Sequence, residues 1–291
     1  MKFENIRVMN FENAIRGMRH PKLSYHLSDS EFGLGHIEWT EEDYIVADRW
    51  LHYILGSQEG EPLTEEEKEE QHSELDKWLI ENGVLYKHGD YFEYAFIGPN
   101  DLDLMQRLIK GGPEHRKFMR QIFVSVDITA PLYWWKEFDT YKVGTVANST
   151  STMHKMASKP ITIDCFEMDD HQDYCTFLSD FLGEEGLTAD DCESMIVRFI
   201  DFLEGLRLKY LETKDKRYWK ELIRWLPESW LQTRTVTMNY ENLLAMCSKS
   251  QRRFHKLNEW SGIDCPENAS FVKMCRSLPY AQELLFLDEL D

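Results

Sequence analysis

Between Phe118 and Phe138 the chain changes its period, and that change limits the class of fold it can adopt. Phe118 to Ile128 supplies β-formers in quantity, with Ile122, Phe123, Val124 and Val126 suited to a buried strand. Pro131 then fits the first turn of a following helix, where its missing N–H costs nothing. Leu132, Tyr133, Trp134, Trp135 and Phe138 continue as an aromatic helical stripe, read as core in preference to a ligand-stacking surface. Strand and helix alternating in this way predict an α/β chain of the α+β kind. It would have a central mixed or antiparallel sheet, flanking helices and a helical C-terminal half.

Composition narrows the function classes. A chain of 291 residues with 42 % hydrophobic and 13 % aromatic content can bury a substantial core. The formal charge of −19 argues against binding nucleic acid polymers, whose phosphates need a basic surface. A small anionic ligand in a local basic pocket remains compatible. Six cysteines, at 165, 175, 192, 247, 265 and 275, form no CxxC pair. With no N-terminal signal peptide, they read as reduced thiols of a cytoplasmic protein. No apolar run approaches the roughly 20 residues of a membrane span, so no membrane partner is expected.

The first hundred residues are uneven. Residues 2–9 alternate as a strand does, Phe11 to Met18 suits a short helix, and His20 to Gly35 has loop composition. Glu41 to Leu55 carries a helical apolar stripe. The acidic run from Glu59 to Glu74 reads as a solvated helix face leading into Leu75, Trp78, Leu79 and Ile80, ended by Asn82-Gly83. Val84 to Ile97 predicts a β-hairpin around His88-Gly89-Asp90. Asn100 is placed to cap a helix over Asp101 to Lys110, which Gly111-Gly112-Pro113 terminates.

Beyond the aromatic helix, Thr145 to Thr152 reads as a loop dense in hydroxyls and amides. Such a loop can hold a phosphate or a pyrimidine edge, or can serve ordinary turn duty. Three helical stripes follow: Met195, Phe199, Phe202, Leu203, Leu206, Tyr210 and Leu211; then Tyr218, Trp219, Leu222, Ile223 and Leu226; then Leu243, Leu244, Cys247, Leu257 and Trp260. With no repeat and no Gly/Ser linker, one domain over 1–291 is the simplest organisation. There is no GxGxxG, GxxxxGK[ST] or HExxH, and His115, His154, His171 and His255 make no metal spacing with the cysteines, so no metal is expected. Arg252, Arg253 and Lys256 form a basic patch on an acidic background, and His255 is expected to share a helix with Arg252.

The order Glu114-His115, strand, aromatic helix, Ser/Asn loop resembles the flavin-dependent thymidylate synthases. A second segment adds to the likeness. Leu226-Pro227 stands twelve residues before Asn239 of Thr237-Met238-Asn239, a Thr-x-Asn that opens a long helix in that family. The resemblance covers roughly residues 100–260, with 1–98 as a divergent N-terminal part. It implies a homotetramer with FAD as cofactor, NADPH and methylenetetrahydrofolate as co-substrates, and a dUMP-like nucleotide as substrate. Glu114, His115 and Asn239 would contact flavin. Lys142, Ser149, Ser151, Arg252 and His255 would hold the nucleotide, Arg252 taking its place if about two residues are inserted near Lys249 to Gln251. No residue is assigned to the chemical step, because the redox chemistry belongs to the flavin.

The chain also departs from the family. The basic Arg-His-Arg triplet is absent, its place taken by Glu137-Phe138-Asp139 or by a stretch holding Tyr141 and Lys142. The arginine expected two residues after Asn239 is Glu241, and Met153-His154 stands where the family's Ser loop continues to Arg/Tyr. Two readings follow: an enzyme that modifies a pyrimidine nucleotide, or a nucleotide-binding or assembly protein of the same fold without flavin.

Overall fold

A computed structural model describes residues 1–36, 85–88, 91–168, 171–183, 188–264 and 269–290. The expectations for Glu41 to Leu55 and Glu59 to Gly83 fall outside these residues. The fold is α+β. Among the described residues the strands are β1 (Lys2–Met9), β2 (Glu31–His36), β3 (Leu85–His88), β4 (Tyr91–Phe96), β5 (Phe123–Pro131), β6 (Val146–Ser149) and β7 (Leu231–Asn239). They form one four-stranded sheet of order β1-β5-β7-β6 and one three-stranded sheet of order β2-β4-β3. The longer helices are α1 (Phe11–Arg19), α2 (Pro99–Lys110), α3 (Leu132–Phe138), α4 (His171–Leu182), α5 (Ala189–Thr213), α6 (Lys216–Arg224), α7 (Tyr240–Met246), α8 (Lys249–Phe254) and α9 (Phe271–Arg276).

The chain divides into two compact units. One comprises 1–4, 127–142 and 147–236; the other comprises 5–126, 143–146 and 237–291. In the first unit α3 buries Trp134, Trp135 and Phe138 almost completely. The two indoles meet edge to face at 5.0 Å and Trp134 stacks on Phe138 at 5.2 Å. Pro131 is the helix N-cap, one residue earlier than a first-turn position. Rings of this size remove roughly 150–250 Å² each from water, an upper bound of about 4–6 kcal/mol apiece. The indole N–H of Trp135 donates to the Gln232 carbonyl at 2.9 Å, so its polar edge is satisfied inside the core.

A second cluster of the same unit joins Met156, Ile161, Phe166, Leu203 and Leu222, with Phe199, Leu206, Ile223 and Leu226 packed against it. The stripe read along α5 is therefore only partly core. Met195, Phe202 and Leu211 are exposed. α5 begins in a reciprocal capping box between Thr188 and Asp191, which satisfies two otherwise orphaned N–H groups.

The second unit has its own core. Ile97, Met105, Met119, Ile122, Tyr240, Trp260 and Phe286 are fully buried. Phe11 meets Tyr240 and Tyr280 edge to face, at 5.7 and 5.9 Å. Cys247 and Cys275 are both buried here, and burial pushes the Cys275 thiol up. The five described cysteines are free thiols.

Sequence expectation and structure part at particular places. The hairpin stands, with β3 and β4 antiparallel and His88 opposite Tyr91. His20 to Gly35 is not all loop. After two short 3-10 turns it enters β2, whose Glu31 pairs with Phe96 and whose His36 pairs with Tyr91. The helix expected from Asp101 starts at Pro99, and it is capped by Asp29. The carboxylate of Asp29 accepts from the N–H of Asn100 at 2.9 Å and of Asp101 at 3.1 Å, so Asp29 and not Asn100 supplies the cap. Asp101 is itself fully buried against Arg19, 2.6 Å from its Nε.

Candidate functional site

The residues expected at a site from the sequence fall in both units. In the second, Asn239 ends β7 and caps α7. Its side-chain oxygen accepts from the Asn242 N–H at 3.0 Å, while the Asn242 side-chain oxygen accepts from the Asn239 N–H at 3.2 Å. The Asn242 amide then donates to the Val143 carbonyl at 2.7 Å, which holds the 143–146 turn against the start of the helix. Gly144 in that turn has φ +81°, and a Cβ there would lie 3.5 Å from Nδ2 of Asn239. The positive φ is the reason for glycine. Asn239 is 8 % exposed. Its oxygen is committed to the cap, so Nδ2 is the atom it can offer to a ligand.

One residue into α7 stands Glu241, where an arginine had been expected. The substitution comes with its own cations. Arg116 Nε lies 3.3 Å from one carboxylate oxygen, and Arg120 donates to both oxygens, with Nη2 at 3.3 Å. These arginines come from the segment immediately after Glu114-His115, around the 3-10 turn Lys117–Gln121. A backbone bond from the Tyr240 N–H to the Ile122 carbonyl, 3.0 Å, fastens the same two segments. Burial raises the Glu241 carboxyl, but the bonds from Arg120 and Arg116 outweigh it and hold the group below the ordinary carboxylate range. Glu241 raises Arg120 in turn.

Glu114 is 88 % exposed and 3.9 Å from Lys117, a surface pair of little energetic weight. His115 is exposed, its ring against Gly111, where an added Cβ would fall 3.2 Å from Cδ2. Thus Glu114, His115, Asn239 and the Arg116/Arg120/Glu241 cluster belong to one unit.

Arg252 belongs to the same unit but is 7 % exposed. Its Nη1 and Nη2 meet Asp288 at 3.2 and 2.8 Å, its Nε lies 3.0 Å from Glu289, and its Nη1 donates to the Cys247 carbonyl at 2.8 Å. Arg276 makes a bidentate pair with Glu289 at 2.9 and 2.9 Å. The Phe286 ring has the guanidinium of Arg276 at 4.1 Å and that of Arg252 at 5.4 Å. Asp288 and Glu289 are each held below the ordinary range, chiefly by their arginine hydrogen bonds.

Two helical expectations change here. The helix opened by Thr237-Met238-Asn239 is short, ending at Met246, and α8 begins at Lys249, close to where an insertion was anticipated. His255 does not share a helix with Arg252. It follows the end of α8 in extended conformation and stacks on Trp260 at 4.8 Å.

The first unit holds Lys142, Ser149 and Ser151. Lys142 and Ser149 are exposed and Ser151 half-buried. The expected loop Thr145 to Thr152 includes a strand, β6, and the adjoining Thr150 N–H donates to the Thr233 carbonyl at 2.9 Å. Asp139, where the resemblance led to an arginine, pairs with Arg234 at 3.1 Å, and Arg234 lies over the Trp135 ring at 4.2 Å. Arg116, Arg120 and Arg234 were not singled out from sequence. The signal available for Arg234 is the alternation of Gln232, Arg234, Val236 and Met238 along β7.

Among the described residues no helix is long and apolar enough to cross a membrane. No protein-family model matches the chain, and no curated protein sequence matches it. Solved structures do. A thymidylate synthase X from Helicobacter pylori with FAD and dUMP is 15 % identical, with 90 % of this chain and 100 % of that one covered and a TM-score of 0.43. A second flavin-dependent thymidylate synthase structure from Helicobacter pylori, also complexed with FAD and dUMP, is 15 % identical over 88 % and 98 %, with a TM-score of 0.42. A UMP/dUMP methylase from Streptomyces cacaoi, bound with 5-Br dUMP, is 14 % identical over 65 % and 82 %, with a TM-score of 0.40.

Proposed function

We propose that this protein is a flavin-dependent enzyme acting on a dUMP-like pyrimidine nucleotide. One observation carries the reading. The Glu114-His115 segment and the Asn239 helix start, 125 residues apart, are clasped together by Arg116, Arg120 and Glu241. The two motifs that the sequence likeness links to flavin thus share one corner.

The residues present fit a flavin there. His115 offers an exposed imidazole, Asn239 a fixed amide N–H, and Arg120 a half-exposed cation for phosphate. When bound, reduced flavin supplies the hydride that completes transfer of a one-carbon unit from methylenetetrahydrofolate, with NADPH as the source of reducing equivalents. The chain's own part is to bind and orient. His115 and Asn239 would fix the cofactor, with Glu114 beside them. Lys142, Ser149, Ser151, Arg252 and His255 are the proposed nucleotide-holding set, and a homotetramer in the cytoplasm is the proposed assembly and place. One domain is the proposed organisation.

A second reading has its own support. Asp288 and Glu289 close Arg252, and Asp139 faces Arg234, so these cations are engaged by the chain itself. That arrangement suits a nucleotide-binding or assembly protein without flavin.

The absorption spectrum of the purified protein, followed by titration with FAD, separates the two. The enzyme reading expects a visible flavin band or stoichiometric FAD binding, and then dUMP turnover. No band, and no FAD binding at concentrations on the order of tens of micromolar, would remove it and leave the flavin-free relative.

A further inference from the structure

The clasp at Glu241 inverts the usual exposure of an ion cluster. Its carboxylate is the least exposed partner, at 15 %, while the Arg120 side chain is 54 % exposed and Arg116 23 %. Two guanidinium groups converge on one carboxylate and use three of their ten N–H donors on it. A single carboxylate offers two oxygens and one negative charge. Two convergent guanidinium groups can take a dianion with three terminal oxygens, each fork donating in bidentate fashion.

We propose that Arg116 and Arg120 are a receptor for a phosphoryl group of a nucleotide, and that Glu241 is its built-in competing occupant. The inference rests on the reading above in taking a nucleotide as the ligand, but its geometry does not require flavin. Other charges act on the corner. Glu114 adds a second negative field at Arg120, and Lys117 lies 3.9 Å from Glu114. The protein's net charge of −19 also opposes any approaching anion. An open two-arginine site would stand out on such a surface. With Glu241 in place the site is neutralised until a ligand with more charge and more acceptor atoms displaces the carboxylate. Glu241 thereby sets which anions the corner accepts: dianionic phosphoryl groups over monoanionic carboxylates.

The test is calorimetric titration of the full chain with inorganic pyrophosphate at low ionic strength. It compares the wild type, Glu241→Gln and the double variant Glu241→Gln/Arg120→Gln. Glu241→Gln is expected to bind roughly tenfold tighter than the wild type, and the double variant to lose that gain. Equal or weaker binding by Glu241→Gln overturns the proposal and makes Glu241 a structural clasp alone. Should that variant fail to fold, Arg120→Gln carries the test, its side chain being more than half exposed. Wild-type pyrophosphate binding is expected to weaken by about threefold or more, and unchanged binding overturns the proposal. A parallel FAD titration separates the two ideas. Absent flavin binding with a retained pyrophosphate gain removes the flavin reading and leaves the receptor standing.

Discussion

Two arginine–carboxylate clusters in the same unit use the same chemistry in opposite orientations. Around Arg252 the cation is buried, 6 % exposed, and the carboxylates of Asp288 and Glu289 face outward at 45 and 33 %. Around Glu241 the carboxylate is the least exposed partner, at 15 %, and Arg120 faces outward at 54 %. The first cluster holds its central cation beneath part-exposed carboxylates, and the second holds its carboxylate beneath the half-exposed Arg120. Sequence alone favours Arg252 as the phosphate ligand, because it lies in a basic patch at a family-like spacing. The orientation of the clusters favours Arg116 and Arg120, which the sequence gives no local reason to choose.

Removing Arg252 tests the contrast most severely. Arg252→Ala takes the guanidinium from Asp288, leaves Glu289 to Arg276, and vacates a core position. It is expected to cost about 2–3 kcal/mol by urea denaturation, below the usual loss for a fully buried pair because the carboxylates are part-exposed. A loss of a few tenths would make this cluster a surface pair and erase the contrast. Asn239→Ala should cost about 1 kcal/mol, the ordinary value of an N-cap side chain. If the corner binds flavin, the same variant should lower FAD affinity, whereas a purely structural cap would change stability alone.

Acid sharpens the comparison further. Asp288, Glu289 and Glu241 are all depressed in the folded state. The stability they contribute is present above the unfolded carboxylate range, about pH 4, and is lost as pH falls through the folded values. The double variant Asp288→Asn/Glu289→Gln should therefore show a shallower loss of stability below that range. An unchanged acid limb would mean that neither carboxylate is coupled to folding. The smallest effect belongs to Arg120→Gln, expected to lower the denaturation midpoint only slightly, because an exposed cation contributes little to folding even where it holds Glu241 down. A clear drop there would make Arg120 a structural member like Arg252.

Locally encoded features were legible. The alternation of residues 2–9 matches β1 at both ends, the aromatic hairpin is present, and Trp134 and Trp135 are core. What failed depends on distance along the chain or on weak local signals. Gly33 and Gly35 gave β2 the composition of a loop, yet pairing with the aromatic β4 makes it a strand. The helix after Asn239 breaks at Cys247-Ser248, although the apolar residues on either side keep helical spacing. Glu241 read as a reversed charge because its partners lie 121 and 125 residues upstream. No local pattern announces such a pair, and Arg116 and Arg120 stand four apart in a segment without helical periodicity.

The buried sulfur pair gives the molecule a clock that needs no engineering. Cys247 and Cys275 are closed off in the second unit, whereas Cys165 in the first is partly open. A thiol reagent should label Cys165 early and the other two only when their unit opens. Peptide-resolved labelling rates, read with and without a nucleotide, would show whether a ligand steadies one unit, the other or both.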